Sequence, residues 1–388
     1  MMGNGQEPGG GSSPSSIIYA GPTKRFFVSM LTRDIELKDA ILDLLDNCVD
    51  GAMRTQGSTN TASETAYAGF YAKITANEGG FEIEDNCGGI PRDIAEKSAF
   101  VLGRPDMLRD ADLPTIGMYG IGMKRAIFKM GRDAVVHSNP ADGAFSVHYS
   151  PVWMDEANEE WELPIDFAAP SLPESGTKIV IRELVPAVRR QFGNDSNFLN
   201  ELREDIAIYY GYIIQKGFHV ELNTDPIKPQ ILRLLTRQQS DEDDADAEDA
   251  IRPYYFAANV EGVTITVSVG FRRPLPTEME VDEEQVGPRS SEEAGISIIC
   301  NDRLVLLNDK TRLTGWGESG VPKYHNQFID RRRGDVLQPT GKQTPPYDDK
   351  TRGRCVFHNL PDSAPIHYGR PEDCNGIYLQ MEGDGGKD

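Results

Sequence analysis

The stretch 41–52 constrains the fold more than any other part of this 388-residue chain. Ile41, Leu44, Leu45, Cys48, Val49 and Ala52 recur at helical spacing and predict one buried stripe. Asp43, Asn47 and Asp50 recur at i, i+4 and i+7, which places them together on another face of the same helix. Thr32 or Asp34 is the expected cap. A carboxylate and an amide side by side can hold Mg²⁺ and a water, because Mg²⁺ takes oxygen ligands and keeps several waters. Taken alone, the same face reads equally well as a solvated acidic surface.

Three further segments carry chemistry. Glu84-Asp85-Asn86-Cys87-Gly88-Gly89-Ile90-Pro91 follows a predicted strand, so a carboxylate at the strand end can meet a ligand while glycines bring the backbone close. A plain Asp-Asn-x-Gly turn is the competing reading. Gly117-Met118-Tyr119-Gly120-Ile121-Gly122-Met123-Lys124 opens a predicted helix from Gly122 to Met130. Unpaired N–H groups at such a helix start bind phosphate, and Lys124 adds a point charge. It is neither a P-loop nor a dinucleotide fingerprint, since the flanking signals of both are missing. Ser175-Gly176-Thr177 begins the predicted strand 177–183, where a hydroxyl could share a water with a buried carboxylate. Alone, that segment is an ordinary strand start.

The order and spacing of the four segments resemble the GHKL ATPase superfamily: type II topoisomerases, MutL-type repair proteins, the large heat-shock chaperones, MORC proteins and sensor histidine kinases. The resemblance covers roughly residues 30–185, and the glycine box running straight into Lys124 is most similar to the MORC and bacterial chaperone-like members. It implies an α+β fold: a GHKL ATP-binding α/β sandwich, a mixed sheet with helices on one face, followed by a transducer-like α/β domain. It implies ATP and Mg²⁺ as ligands, with Asn47 on the metal and Asp43 as general base where the family usually has glutamate. Asp85 would accept the adenine amino group, Gly89 would admit the base, and Thr177 would assist Asp85 through water. Gly117, Gly120 and Gly122 would wrap the phosphates and Lys124 would reach the terminal one. Asp50, Ile90, Arg104, Tyr119, Ile121 and Met123 complete the implied nucleotide contacts. The loop 102–115 would be the lid. The family usually has glycine at the position of Cys87, a departure expected to narrow the pocket. The transducer lysine that reaches the γ-phosphate would be Lys310, Lys323 or Lys342.

The rest of the chain sets the organisation. Residues 1–16 are rich in Gly, Ser and Pro and read as a tail with neither the basic start nor the apolar run of a signal peptide. Residues 17–185 hold the nucleotide motifs, and a second unit is expected over 186–330, with a helix at 196–215 and an acidic loop at 239–250. Periodicity fades over 331–388, where an irregular segment is expected. The net charge of −21 disfavours nonspecific binding to nucleic acid. Five widely spaced cysteines without a CxxC fit a reducing cytoplasm and neither a disulfide framework nor zinc. No apolar run approaches the roughly 20 residues of a membrane helix.

Three functions compete on these observations. The first is slow, Mg-dependent ATP hydrolysis driving a nucleotide-dependent homodimeric clamp or chaperone-like cycle on a protein client, with 17–31 as an exchanged arm. The second is an ATP-binding switch with little turnover, motivated by Asp43. The third is a kinase acting in trans, since no histidine precedes His137 to serve as an acceptor in cis.

Overall fold

The computed structural model describes residues 23–57, 63–101, 121–155, 157–169, 171–234, 254–260, 263–269, 295–316, 323 and 378–381. Two helices open the described chain, α1 (Lys24–Arg33) and α2 (Leu37–Thr55). Neither expected cap of α2 serves: Thr32 lies inside α1 and Asp34 ends it, and Glu36 precedes α2 without a side-chain cap bond. The apolar stripe of α2 is buried as its spacing predicts.

Strands β1 (Tyr71–Asn77) and β2 (Gly80–Asp85) form a hairpin, and Arg92–Ile94 (α3) runs into a π-helical turn at Ala95–Ala99. The motif helix α4 (Gly122–Met130) leads directly into β3 (Gly131–Ser138). Then follow β4 (Phe145–Tyr149), α5 (Pro151–Met154), β5 (Ile165–Asp166) and β6 (Thr177–Leu184). Helices α6 (Pro186–Gln191), α7 (Phe198–Tyr209) and α8 (Gly211–Gln215) precede the short strands β7 (His219–Leu222) and β8 (Asp225–Pro226). The predicted helix over 196–215 is thus two helices broken at Tyr210–Gly211. A side chain at Gly211 would come within 2.6 Å of the Gln230 carbonyl, so the chain passes too closely there for one.

These strands make one mixed sheet in the order β5-β4-β3-β6-β2-β1-β7-β8. Alternate residues point one way: Ala72, Ile74, Ala76, Phe81, Ile83, Val136, Val147, Ile179 and Ile181 are buried in the same core as α2 and α4. The opposite face carries charge, with Lys178 paired to Glu82 (3.3 Å) and Glu84 (3.1 Å), and Arg182 on Glu82. An antiparallel sheet tolerates one wet face, and here helices cover the other, as the GHKL architecture implies. Strands β7 and β8, expected in the second unit, belong to this first sheet: β7 pairs parallel with β1.

A second sheet contains β9 (Tyr254–Val260), β10 (Val263–Val269), β11 (Ile296–Cys300), β12 (Arg303–Asp309) and β13 (Tyr378–Met381), ordered β12-β11-β13-β10-β9. Strand β13 comes from the segment expected to be irregular, yet it lies between β10 and β11.

Candidate nucleotide site

Asp85 ends β2 and is the centre of the site. Its side chain is 8% exposed. Oδ1 accepts the backbone N–H of Cys87 at 2.8 Å and of Thr177 at 3.2 Å. Burial pushes its carboxyl from 3.8 up to about 6, against the opposing pull of those two N–H groups, the Cys48 thiol and Arg54. Thr177 therefore meets Asp85 through its main-chain N–H, a contact the motif reading did not name. The register explains this: Glu84 pairs with Lys178, so the start of β6 lies against the end of β2.

The loop after Asp85 is held on several sides. Gly89 has φ +72°, and a Cβ there would lie 2.8 Å from the Pro140 nitrogen and 3.1 Å from the Gly176 carbonyl. Only glycine meets both demands. Ser138, which the motif reading missed, accepts the Ile90 N–H at 2.7 Å. Asn86 accepts the Tyr71 N–H at 2.8 Å and donates to the Gly69 carbonyl at 2.8 Å. Both are buried or half-buried polar residues at strand ends, and that is the only signal they leave in the sequence.

The Cys87 side chain turns inward onto α2. A Cβ at Gly51 would sit 2.9 Å from the Cys87 Cβ, so the missing side chain at 51 makes the room that Cys87 fills. The thiols of Cys48 and Cys87 are both driven up by burial and by the Asp85 carboxylate, so they stay protonated and are poor nucleophiles.

Helix α2 packs on α4. A Cβ at Gly122 would approach the Asp43 Cβ to 3.2 Å and its Oδ2 to 3.4 Å. The carboxylate of Asp43 therefore sits at the N-terminus of α4, whose cap, Ile121, has no side-chain acceptor to offer the first-turn N–H groups. Asn47 is exposed, whereas Asp50 is 3% exposed and belongs to the interior. The predicted polar face is thus half-buried at Asp43, exposed at Asn47 and buried at Asp50. Ile90 and Met123 pack, half-buried, against the core. Lys124, on the first turn of α4, is 1% exposed. Gly117, Tyr119, Gly120, Arg104 and the lid 102–115 lie outside the described residues apart from the motif's end at Ile121–Gly122.

Residues 35–171 match the model of the family described as histidine kinase-, DNA gyrase B- and HSP90-like ATPase. The chain carries a GHKL-type ATPase domain. No curated protein matches the chain. The matched span ends before Ser175–Thr177, so the strand that supplies the second donor to Asp85 lies just past it. The sheet of the ATPase domain continues further, to β8.

The second sheet meets the ATPase domain through residues that the motif reading did not single out. Arg303 Nε donates to Asp46 Oδ1 at 2.8 Å, and the Tyr210 hydroxyl lies 2.5 Å from the same oxygen. Asp46 thus faces Arg303 and Tyr210, whereas its neighbour Asn47 is exposed. Of the expected transducer lysines, Lys342 lies outside the described residues. Lys310 follows β12 at the end remote from Arg303, on the order of 20 Å away at the rise of an extended strand. Lys323 is exposed.

Proposed function

We propose that the chain binds Mg²⁺–ATP and hydrolyses it slowly, as an ATP-gated homodimeric clamp or chaperone-like machine working on a protein partner. The observation that carries this reading is Asp85: a buried carboxylate fixed by two main-chain donors beside a glycine turn. Such a group suits an exocyclic amino donor and rejects a carbonyl, which selects adenine over guanine. Asp43 at the start of α4 is the group best placed to take a proton from water, and the first-turn N–H groups beside it suit phosphate.

The residues present fit Mg²⁺ as a nucleotide complex. Among the described residues no cluster of three or more His, Cys, Asp or Glu could hold a metal alone. The exposed Asn47 offers one neutral oxygen, which suits an ion that keeps waters and takes phosphate oxygens. Bound there, Mg²⁺ would offset phosphate charge. Asn47 would orient it, Asp43 would accept the proton from water, and Asp85 would fix the adenine. Among the described residues no helix is long and apolar enough to cross a membrane.

The test is ATP affinity of the wild type and of Asp85→Asn, with and without Mg²⁺. Losing the charged acceptor should weaken binding by on the order of 2–4 kcal/mol, roughly 30- to 1000-fold. Equal affinity in the two proteins would remove Asp85 from the site and the reading with it. Asp43→Glu then separates machine from switch. If the longer acid raises turnover strongly, the natural protein is set to hold ATP; if turnover collapses, Asp43 is an adapted base.

A further inference from the structure

We propose that Arg303 is a positioning residue for the nucleotide site, fixing from the tip of a hairpin in the second sheet the helix that carries Asp43 and Asn47. The proposal rests on the ATPase reading above and adds to it a route by which the second sheet governs that site.

The hairpin is built to deliver this side chain. Cys300 pairs with Arg303, leaving Asn301 and Asp302 as a two-residue turn with φ +48° and +65°. Two positive φ values define the turn whose twist matches that of its strands, and Asn and Asp tolerate it best. The tip is therefore stiff, and both residues that follow Asn301 are driven into the ATPase domain. Asp302 is 2% exposed, with Lys216 Nζ at 2.6 Å and the Tyr67 hydroxyl at 3.1 Å. Arg303 is 8% exposed, and its guanidinium stacks over the Tyr210 ring at 4.1 Å.

What Arg303 grips is helix α2. Asp46 Oδ1 receives Arg303 Nε and lies within reach of the Tyr210 hydroxyl, which is also 2.8 Å from the Leu42 carbonyl. Asp46 immediately precedes Asn47 and follows Asp43 by three residues. On another flank the same helix meets α4, where Gly122 leaves room for Asp43. A buried ion pair that loses one member leaves a charge without compensation, so α2 would shift or water would enter. A misplacement near 1 Å costs about 100-fold in rate. Asp85 is held by main-chain donors at the β2 and β6 ends, and only its weaker partners, Cys48 and Arg54, lie on α2.

The experiment compares wild type, Arg303→Met, Arg303→Lys and Tyr210→Phe in the full chain. The readouts are Mg-free ATP affinity, kcat, the Mg²⁺ concentration for half-maximal turnover, and amide exchange over residues 39–50 without ligand. Arg303→Met should keep Mg-free affinity within about threefold, because the main-chain bonds that hold Asp85 come from outside α2, and lower kcat at least about tenfold. It should also raise the Mg²⁺ requirement and speed α2 exchange about tenfold, with Arg303→Lys recovering only part of each loss, since a point charge can pair with Asp46 but cannot stack on Tyr210; Tyr210→Phe should lose part of the same readouts. A folded Arg303→Met protein with wild-type kcat, Mg²⁺ dependence and exchange overturns the proposal. So does an equal loss of Mg-free affinity, which would mark general loosening. If Arg303→Met does not fold, wild-type values in both Arg303→Lys and Tyr210→Phe overturn it. Wild type that binds no ATP would remove the nucleotide reading itself, whereas wild type that binds, with unchanged variants, removes Arg303 alone.

Discussion

Asp85 sets stability and binding against each other. Its carboxyl titrates near 6 in the folded chain and at 3.8 when unperturbed. The native state therefore binds the extra proton between those values, so this group's contribution to stability falls as pH rises from about 4 to about 6. The cost at neutral pH is on the order of 3 kcal/mol. Asn in its place still accepts from the Cys87 and Thr177 N–H groups but carries no buried charge. Asp85→Asn is thus expected to melt higher than wild type at pH 7.5 while losing ATP affinity; a lower melting temperature in calorimetry would contradict the assignment. By the same titration, wild-type ATP affinity should fall as pH drops through about 6, measurable by binding titrations between pH 5 and 8. The Asp85 turn was readable because glycine after a strand-end carboxylate is a local signal. Ser138 was not, because one polar residue at a strand end carries no period.

At the scale of elements, the contact between α2 and α4 decides catalysis. Alanine favours a helix over glycine by about 1 kcal/mol, so Gly122→Ala should not lower the melting temperature much. Its Cβ would nonetheless press within 3.2 Å of the Asp43 Cβ and displace the carboxylate. The expected result is a kcat reduced about tenfold with KM within about threefold, read by steady-state kinetics. Helices α2 and α4 and the hairpin β1–β2 were all visible in sequence, since each has its own periodicity or turn. The break at Tyr210, the parallel pairing of β7 with β1 and the insertion of β13 were not. Each depends on a partner far along the chain, and distant pairing leaves no mark on local spacing.

At the scale of the whole molecule, the proposed clamp requires ATP-dependent association. Phe26 and Met30 lie one turn apart on α1 and are 58% and 46% exposed. A nonhydrolysable ATP analogue should shift the protein toward dimer in light scattering, and Phe26→Asp with Met30→Asp should reduce that shift. Only monomer at high concentration with the analogue would rule the clamp out. The lone parallel pair has a practical consequence for dissecting the molecule. Because β7 covers the outer side of β1, a fragment ending near residue 186, or at the end of the family match, would leave a central strand with a bare row of main-chain donors and acceptors. Such rows recruit other chains. A cut after residue 234 should give a soluble ATP-binding fragment whose turnover is lowered by the loss of Arg303, whereas the shorter one should aggregate during refolding.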